Sequence, residues 1–232
     1  MSEETSKARQ IIHLFRHAQA QHNATGDNTI PDPPLTELGI TQSFAILREY
    51  PFFTRPTLIL VSPFRRAIET TLYAFHPAKN PDAAKLFSDR PPTIIALPQL
   101  QEISDENPCD RGSPIEDLKV EFGDYVIFND SYFSPSDWPI KKDNAYVMDN
   151  ELLAKRARWV REYSQVQEDT EIIVITHNDF SCFLVNRWLY GPGCGSLWDG
   201  LGNACGKPMV IREMEVMHAE RERDTVMMIE IP

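Results

Sequence analysis

Three apolar runs, Ile11-Ile12-His13-Leu14-Phe15, Thr57-Leu58-Ile59-Leu60-Val61 and Glu171-Ile172-Ile173-Val174-Ile175, each release a polar cluster at the C-terminal end. The interiors of the second and third are apolar at consecutive positions rather than alternating. A strand of that kind must be covered on both faces, as in a parallel sheet with helices above and below. The clusters are Arg16-His17-Ala18, Ser62-Pro63-Phe64-Arg65-Arg66-Ala67 and Thr176-His177-Asn178. In open α/β sheets ligands bind outside the carboxyl ends of the strands. Two histidines and several arginines at that kind of position point to one anion-binding pocket with a nitrogen nucleophile in it.

The rest of the chain fits the same plan. Further strand-like segments lie at 93–97, 208–216 and 225–231; the last two partly alternate and read as edge strands, one of them antiparallel. Helices fall between the strands. Thr36 is an N-cap candidate ahead of a face made by Leu38, Phe44 and Leu47. Ser62-Pro63 reads as cap and first turn of a helix whose stripe is Ile68, Leu72 and Phe75. The segment 149–167 sets Leu153, Ala157, Val160 and Ser164 on one side, and Asn178 and Asp179 can cap a helix carrying Phe180, Leu184 and Trp188. The alternation predicts an α/β chain: a three-layer α/β/α sandwich, mostly parallel in its central sheet, forming one domain over 1–232. The stretch from about 98 to 148 differs in kind. Its prolines and its aromatics, Phe122, Tyr125, Phe128, Tyr132, Phe133 and Trp138, read as an inserted cap or lid.

Composition excludes some partners. A net charge of -11 is the wrong sign for a broad nucleic-acid or acidic-membrane surface, which needs an extended basic footprint. It leaves room for a small cationic pocket. No apolar stretch is long enough to span a membrane. Cys109, Cys182, Cys194 and Cys205 form no C-x-x-C pair and no zinc spacing, and read as reduced thiols of a cytoplasmic protein. No metal and no cofactor is expected, and the oligomeric state is left open.

Taken in order, the motifs resemble the histidine phosphatase superfamily, the phosphoglycerate-mutase-like proteins of branch 1. Arg16-His17-Ala18 with Asn23 resembles its Arg-His-Gly signature and downstream Asn; Leu35 to Gly39 is similar to its first helix start; Ser62 to Thr70 to its second arginine motif; Leu100-Gln101-Glu102 to the motif carrying the acid; and Thr176-His177 to the second-histidine motif. Leu201-Gly202-Asn203-Ala204 is a softer echo. The resemblance implies a phosphatase acting on a small phosphorylated substrate. His17 would be the nucleophile that becomes a phosphohistidine. Arg16, Arg66, His177 and the neutral donor Asn23 would hold the phosphoryl oxygens. Glu102 would protonate the leaving alcohol and then activate water, with Asp105 as the competing carboxylate. His22 lies in the loop, able to face substrate.

Three positions depart from the pattern: Ala18 for Gly, Gln19 where Glu is frequent, and Asn178 where Gly is frequent. Ala18 obliges its turn to avoid positive φ, and Asn178 tolerates left-handed geometry. The nearer resemblance is to fungal-type members, on Leu-Gln-Glu followed by Cys109-Asp110 and Gly112. Other readings are phosphoglycerate-mutase-type transfer, a biosynthetic enzyme acting on a pyrophosphorylated or other anionic metabolite, and a non-catalytic phospho-ligand binding module.

Overall fold

The computed structural model describes residues 11–49, 55–87, 89–133, 138–139, 141, 149–165, 167 and 171–185, together with the backbone of 206–213 and 226–230. Trp188, Cys194, Cys205 and the Leu201 to Ala204 echo lie outside the described residues, as do parts of 134–148. The strands are β1 (Ile11–Arg16), β2 (Leu58–Val61), β3 (Thr93–Ala96), β4 (Glu171–Thr176), β5 (Gly206–Glu213) and β6 (Val226–Glu230). The helices are α1 (Gln21–Thr25), α2 (Glu37–Glu49), α3 (Arg65–Phe75), α4 (Pro81–Leu86), α5 (Ile115–Phe122), α6 (Asn150–Gln165) and α7 (Asn178–Leu184). They build one sheet in the order β3-β2-β4-β1-β5-β6. The first four strands are parallel; β5 runs antiparallel to β1 and β6 antiparallel to β5. β6 is an edge, as expected, but β5 is internal, paired on both sides. Among the described residues no helix is long and apolar enough to cross a membrane.

Alternate strand residues feed two separate cores, which explains the unbroken apolar runs. Phe15, Ile59, Val61, Ile173 and Ile175 meet Ile46 of α2 and Ile68, Leu72 and Phe75 of α3. Ile12, Leu14, Leu58, Leu60, Ile172 and Val174 meet Leu153, Ala157 and Val160 of α6 and Phe180 and Leu184 of α7. A side chain on either face of the central strands is therefore removed from water. Burying one such Leu or Ile stabilises the fold by roughly 1.5–3 kcal/mol. The result is the three-layer α/β/α sandwich.

The aromatic segment folds back onto the first of these cores. Leu118 and Phe122 of α5, Val126, Phe133 and Trp138 are buried in it, with Tyr125, Phe128 and Tyr132 packed against it. Ile127 pairs with the outer edge of β3: its N–H donates to Ile94 O at 2.9 Å and its carbonyl accepts from Ala96 N at 3.0 Å. Trp138 lies so close over Gly112 that a Cβ there would sit 2.0 Å from the indole ring. The ring of Tyr132 meets Trp159 and Tyr163 of α6 edge-on. These rings are packing elements rather than an open wall.

Three short connections shape the ground behind the site. Thr36 caps α2, its Oγ accepting from Gly39 N at 3.0 Å. Ala20 forms a bridge with Leu35, and the Leu35 N–H is held by Glu69 Oε2 at 2.6 Å. Burial pushes the Glu69 carboxyl up from its ordinary value of 4.5 to about 7. Between those values the folded state holds a proton that the unfolded chain lacks, so stability falls as pH rises through that window. Glu69→Gln keeps an acceptor for Leu35 and removes the charge. The variant should melt higher than the parent at pH 8, the gap closing toward pH 5. A variant that melts lower at both pH values would make the charge stabilising instead.

Candidate active site

The three central groups of the site are each delivered by a β-strand end or by the helix that follows it. His17 succeeds β1, and its backbone N–H donates to Thr176 O across the β1/β4 junction at 3.0 Å. His177 succeeds β4 at the N-terminus of α7. Arg66 sits in the first turn of α3, immediately after β2. Because β1, β4 and β2 are parallel neighbours, the three side chains converge. The His17 and His177 rings lie 5.1 Å apart between centroids.

Arg66 holds the two imidazoles together. Its Nε lies 3.3 Å from His17 Nε2 and its Nη2 3.3 Å from His177 Nδ1. Nη1 donates to Cys109 O at 3.0 Å, and the guanidinium rests 4.4 Å from the Phe64 ring centroid. A guanidinium has donors only, so both contacted imidazole nitrogens accept. The tautomers follow. His17 carries its ring hydrogen on Nδ1 and donates it to Ala18 O at 2.7 Å. Its Nε2 keeps a lone pair facing the site. His177 carries its hydrogen on Nε2 and gives it to Ser62 Oγ at 2.7 Å. Burial, then the charges of Arg66 and Arg16, hold His17 well below the ordinary histidine range. Burial, Arg66 and His17 do the same to His177. Both rings are neutral at physiological pH.

Ser62, expected as the cap of α3, is therefore His177's partner. The helix begins at Arg65 with Phe64 at its N-cap position and no side-chain cap. No local sequence signal could have revealed this, because Ser62 and His177 are brought together only by the β2/β4 pairing. Asn178 is likewise the first residue of α7, not a left-handed turn. Asp32 is the one non-glycine with positive φ among the described residues, so Ala18 sits at ordinary φ.

Asp32 was not singled out in the sequence. It is buried and accepts from Arg65 N at 2.9 Å, Ser113 N at 3.0 Å and Ser113 Oγ at 2.7 Å. It thereby joins the start of α3 to the segment after Cys109, and its charge favours the buried Arg66 cation. Thr70 adds a second tie: its Oγ accepts from Ala18 N at 2.9 Å and donates to Arg66 O at 2.7 Å. Gln19 turns toward Thr36, its Oε1 accepting from the hydroxyl at 2.8 Å. A Cβ on Gly39 would meet Gln19 O at 2.1 Å, so only glycine allows this approach.

The remaining expected residues fall around this centre. Arg16 Nε is buried with no protein partner, a donor of the kind a phosphoryl oxygen would satisfy. Glu102 Oε1 accepts from Ile103 N at 2.9 Å and from Phe180 N at 3.2 Å. Burial, then the charge of Asp179, raises its carboxyl above the ordinary range. Asp105 meets Arg111 only through its carbonyl, at 3.4 Å. Asn23 bonds its neighbours: its Oδ1 accepts from Ala20 N at 3.1 Å and its Nδ2 lies 3.0 Å from His22 Nε2. A buried lysine, Lys141, also unremarked in the sequence, donates to Ser104 O and, at 2.8 Å, to Asp110 O. Among the described residues no cluster of His, Cys, Asp and Glu is arranged to hold a metal ion.

Residues 12–104 match the family model of the histidine phosphatase superfamily (branch 1). A phosphoglycerate mutase-like protein of Arabidopsis thaliana is 27% identical over 215 residues, which cover 79% of this chain and 75% of that protein. A protein of Schizosaccharomyces pombe named as a probable phosphatase is 28% identical over 171 residues, 72% of this chain and 73% of its own. The fold matches that of the ecdysone phosphate phosphatase of Bombix mori, solved with tungstate, at a TM-score of 0.54 and 15% identity over 93% of this chain and 97% of that one. The chain is histidine-phosphatase-like in both sequence and fold.

The Ser62–His177 contact gives a direct test of the site's construction. Ser62→Ala strands the His177 Nε2–H in a dry interior, and an unsatisfied buried donor costs about 1–3 kcal/mol. Denaturant unfolding should show a loss of that size. A variant as stable as the parent would mean that water or another group takes the proton.

Proposed function

We propose that the protein is a phosphatase that hydrolyses a small-molecule phosphomonoester through a phosphohistidine intermediate, with no metal in the chemical step. The observation that carries this reading is the His17 tautomer: Nδ1–H is tied to Ala18 O, which leaves Nε2 as a neutral nucleophile beside two arginines.

The chemistry follows from these groups. His17 Nε2 attacks phosphorus and the ester P–O bond breaks. Charge on the non-bridging oxygens is met by the Arg66 N–H groups, which leave the two imidazoles for the phosphoryl group, and by Arg16. Arginine's planar fork suits that task. His177, its Nε2–H fixed by Ser62, turns Nδ1 toward the same group; it takes up a proton from solvent as the dianion's field raises its basicity and returns it when phosphate leaves. Glu102, its carboxyl raised by burial, gives its proton to the departing alcohol. Its carboxylate then takes a proton from water, which attacks the phosphohistidine and regenerates neutral His17 with release of phosphate. The relatives named as phosphatases favour hydrolysis over retention of the phosphoryl group. Substrate choice is assigned to the loop from Glu102 to Ser113, the part of the 98–148 insertion nearest the clamp.

The assay is phosphate release from p-nitrophenyl phosphate with chelator present. His17→Ala should lose at least ~1000-fold while remaining folded by circular dichroism, because water in the same pocket lacks the covalent route. A folded variant that still turns over near the parental rate removes His17 from the mechanism.

Glu102→Gln separates acid catalysis from structure. It should slow an alkyl phosphate far more than p-nitrophenyl phosphate, whose leaving group needs no proton. In the parent, alkyl phosphate turnover should fall as pH rises through the elevated Glu102 value, and this limb should vanish in the variant. Equal losses for both substrates would transfer the acid's role to Asp105.

A further inference from the structure

Asn23 matches the family's downstream Asn, yet its side chain is spent on its neighbours. The Ala20 N–H fixes which end is oxygen, since only Oδ1 can accept from it. The amide nitrogen is then the atom 3.0 Å from His22 Nε2. An NH2 group donates, so His22 Nε2 accepts, and the ring hydrogen of a neutral His22 must be on Nδ1. That Nδ1 is buried and has no partner. The ring lies 6.3 Å from the His17 ring, centroid to centroid. Burial, then the charge of Arg66, depresses His22 to about 4; Asp110 opposes and Arg16 adds to this. His22 is thus a neutral donor beside the nucleophile, and a buried N–H without an acceptor is costly unless a ligand supplies one.

We infer that His22 is a substrate-binding residue that donates its Nδ1–H to an oxygen of the phosphoryl group, and that Asn23 is a positioning residue that sets the His22 tautomer. This rests on the phosphatase reading of the same pocket and deepens it. The Asn of the signature then acts on phosphate through the neighbouring histidine. His22 complements Arg16 and Arg66 by adding a donor without adding charge, so it favours product release where a third cation would retain phosphate.

Long-range 1H–15N correlation spectra of histidine-labelled protein test the proposal. His22 should show the Nδ1–H tautomer, the minor form of a free histidine side chain, and inorganic phosphate should shift its Nδ1 resonance. Asn23→Asp replaces the donor by an acceptor and should convert His22 to the Nε2–H tautomer or to imidazolium. In kinetics with p-nitrophenyl phosphate, His22→Phe should lower kcat/KM about 10-fold, the worth of one hydrogen bond of about 1.4 kcal/mol. His22→Asn, which returns an N–H near the Nδ1 position, should recover most of that loss. An Nε2–H tautomer in the parent, or a Nδ1 resonance unmoved by saturating phosphate, overturns the inference. So do equal losses in His22→Phe and His22→Asn. The spectra need no turnover: a parent that binds phosphate through His22 but releases none from any ester sinks the phosphatase reading alone.

Discussion

The site depends on a positive charge held where water cannot reach it. Arg66 is 2% exposed, and a guanidinium so placed must have its donors satisfied. The protein answers with two imidazole lone pairs, a backbone carbonyl, an aromatic face and the field of Asp32. Each answer constrains something else. Accepting from Arg66 fixes the tautomers of His17 and His177, and those fix the need for the Ala18 carbonyl and the Ser62 hydroxyl. One buried cation thus dictates where two ring hydrogens reside. The two imidazoles are also the weakest of its partners, being neutral acceptors at 3.3 Å. An arriving dianion can displace them and leave the structural bond to Cys109 intact.

Much of this was legible in the chain because its determinants are local. Unbroken apolar runs identified strands buried on both faces, and the polar group after each run identified the end at which ligands collect. His17, Arg66 and His177 needed only the parallel pairing of β1, β4 and β2 to meet. What could not be read is what depends on pairs distant in sequence. Ser62 looked like a cap because Ser-Pro before a helix usually is one, and only the strand order reveals its partner. Asp32 stands in a loop where a carboxylate is by default solvated, and its role appears only once Ser113 is folded against it. Asn23 matches the motif in sequence, and its contacts in the fold are to Ala20 N and His22 Nε2, within three residues of it.

The aromatic segment shows how much depends on which way a ring faces. Prolines and rings between 98 and 148 read as an inserted cap or lid, with ordinary packing of the rings as the favoured reading of their role. Trp138 covers Gly112, donates its indole N–H to Ser113 O at 2.9 Å and meets the Phe64 ring edge-on. Phe64 in turn carries Arg66 on its face. Rings that a hydropathy pattern cannot distinguish from a binding surface here form the floor under the clamp. A sequence records how apolar such a segment is but not which side of it meets the ligand.

The same dryness that strains Arg66 tunes the proton donor. Burial raises Glu102 and lowers Lys141, to about 7 for the lysine, with Arg156 adding to the lysine's shift. Each charge would favour the other, yet for both the loss of water outweighs that attraction. Lys141 nevertheless keeps two backbone carbonyls, Ser104 O on the Glu102 side of the loop and Asp110 O beside the carbonyl that receives Arg66. It spans the loop from the acid to the clamp. Closing the loop with a buried amine rather than an apolar contact has a chemical consequence: the group that shapes the loop responds to the charge of Glu102. In the proposed mechanism, the carboxylate left when Glu102 gives up its proton would favour the charged lysine, whose hydrogen bonds to the two carbonyls are the stronger for that charge.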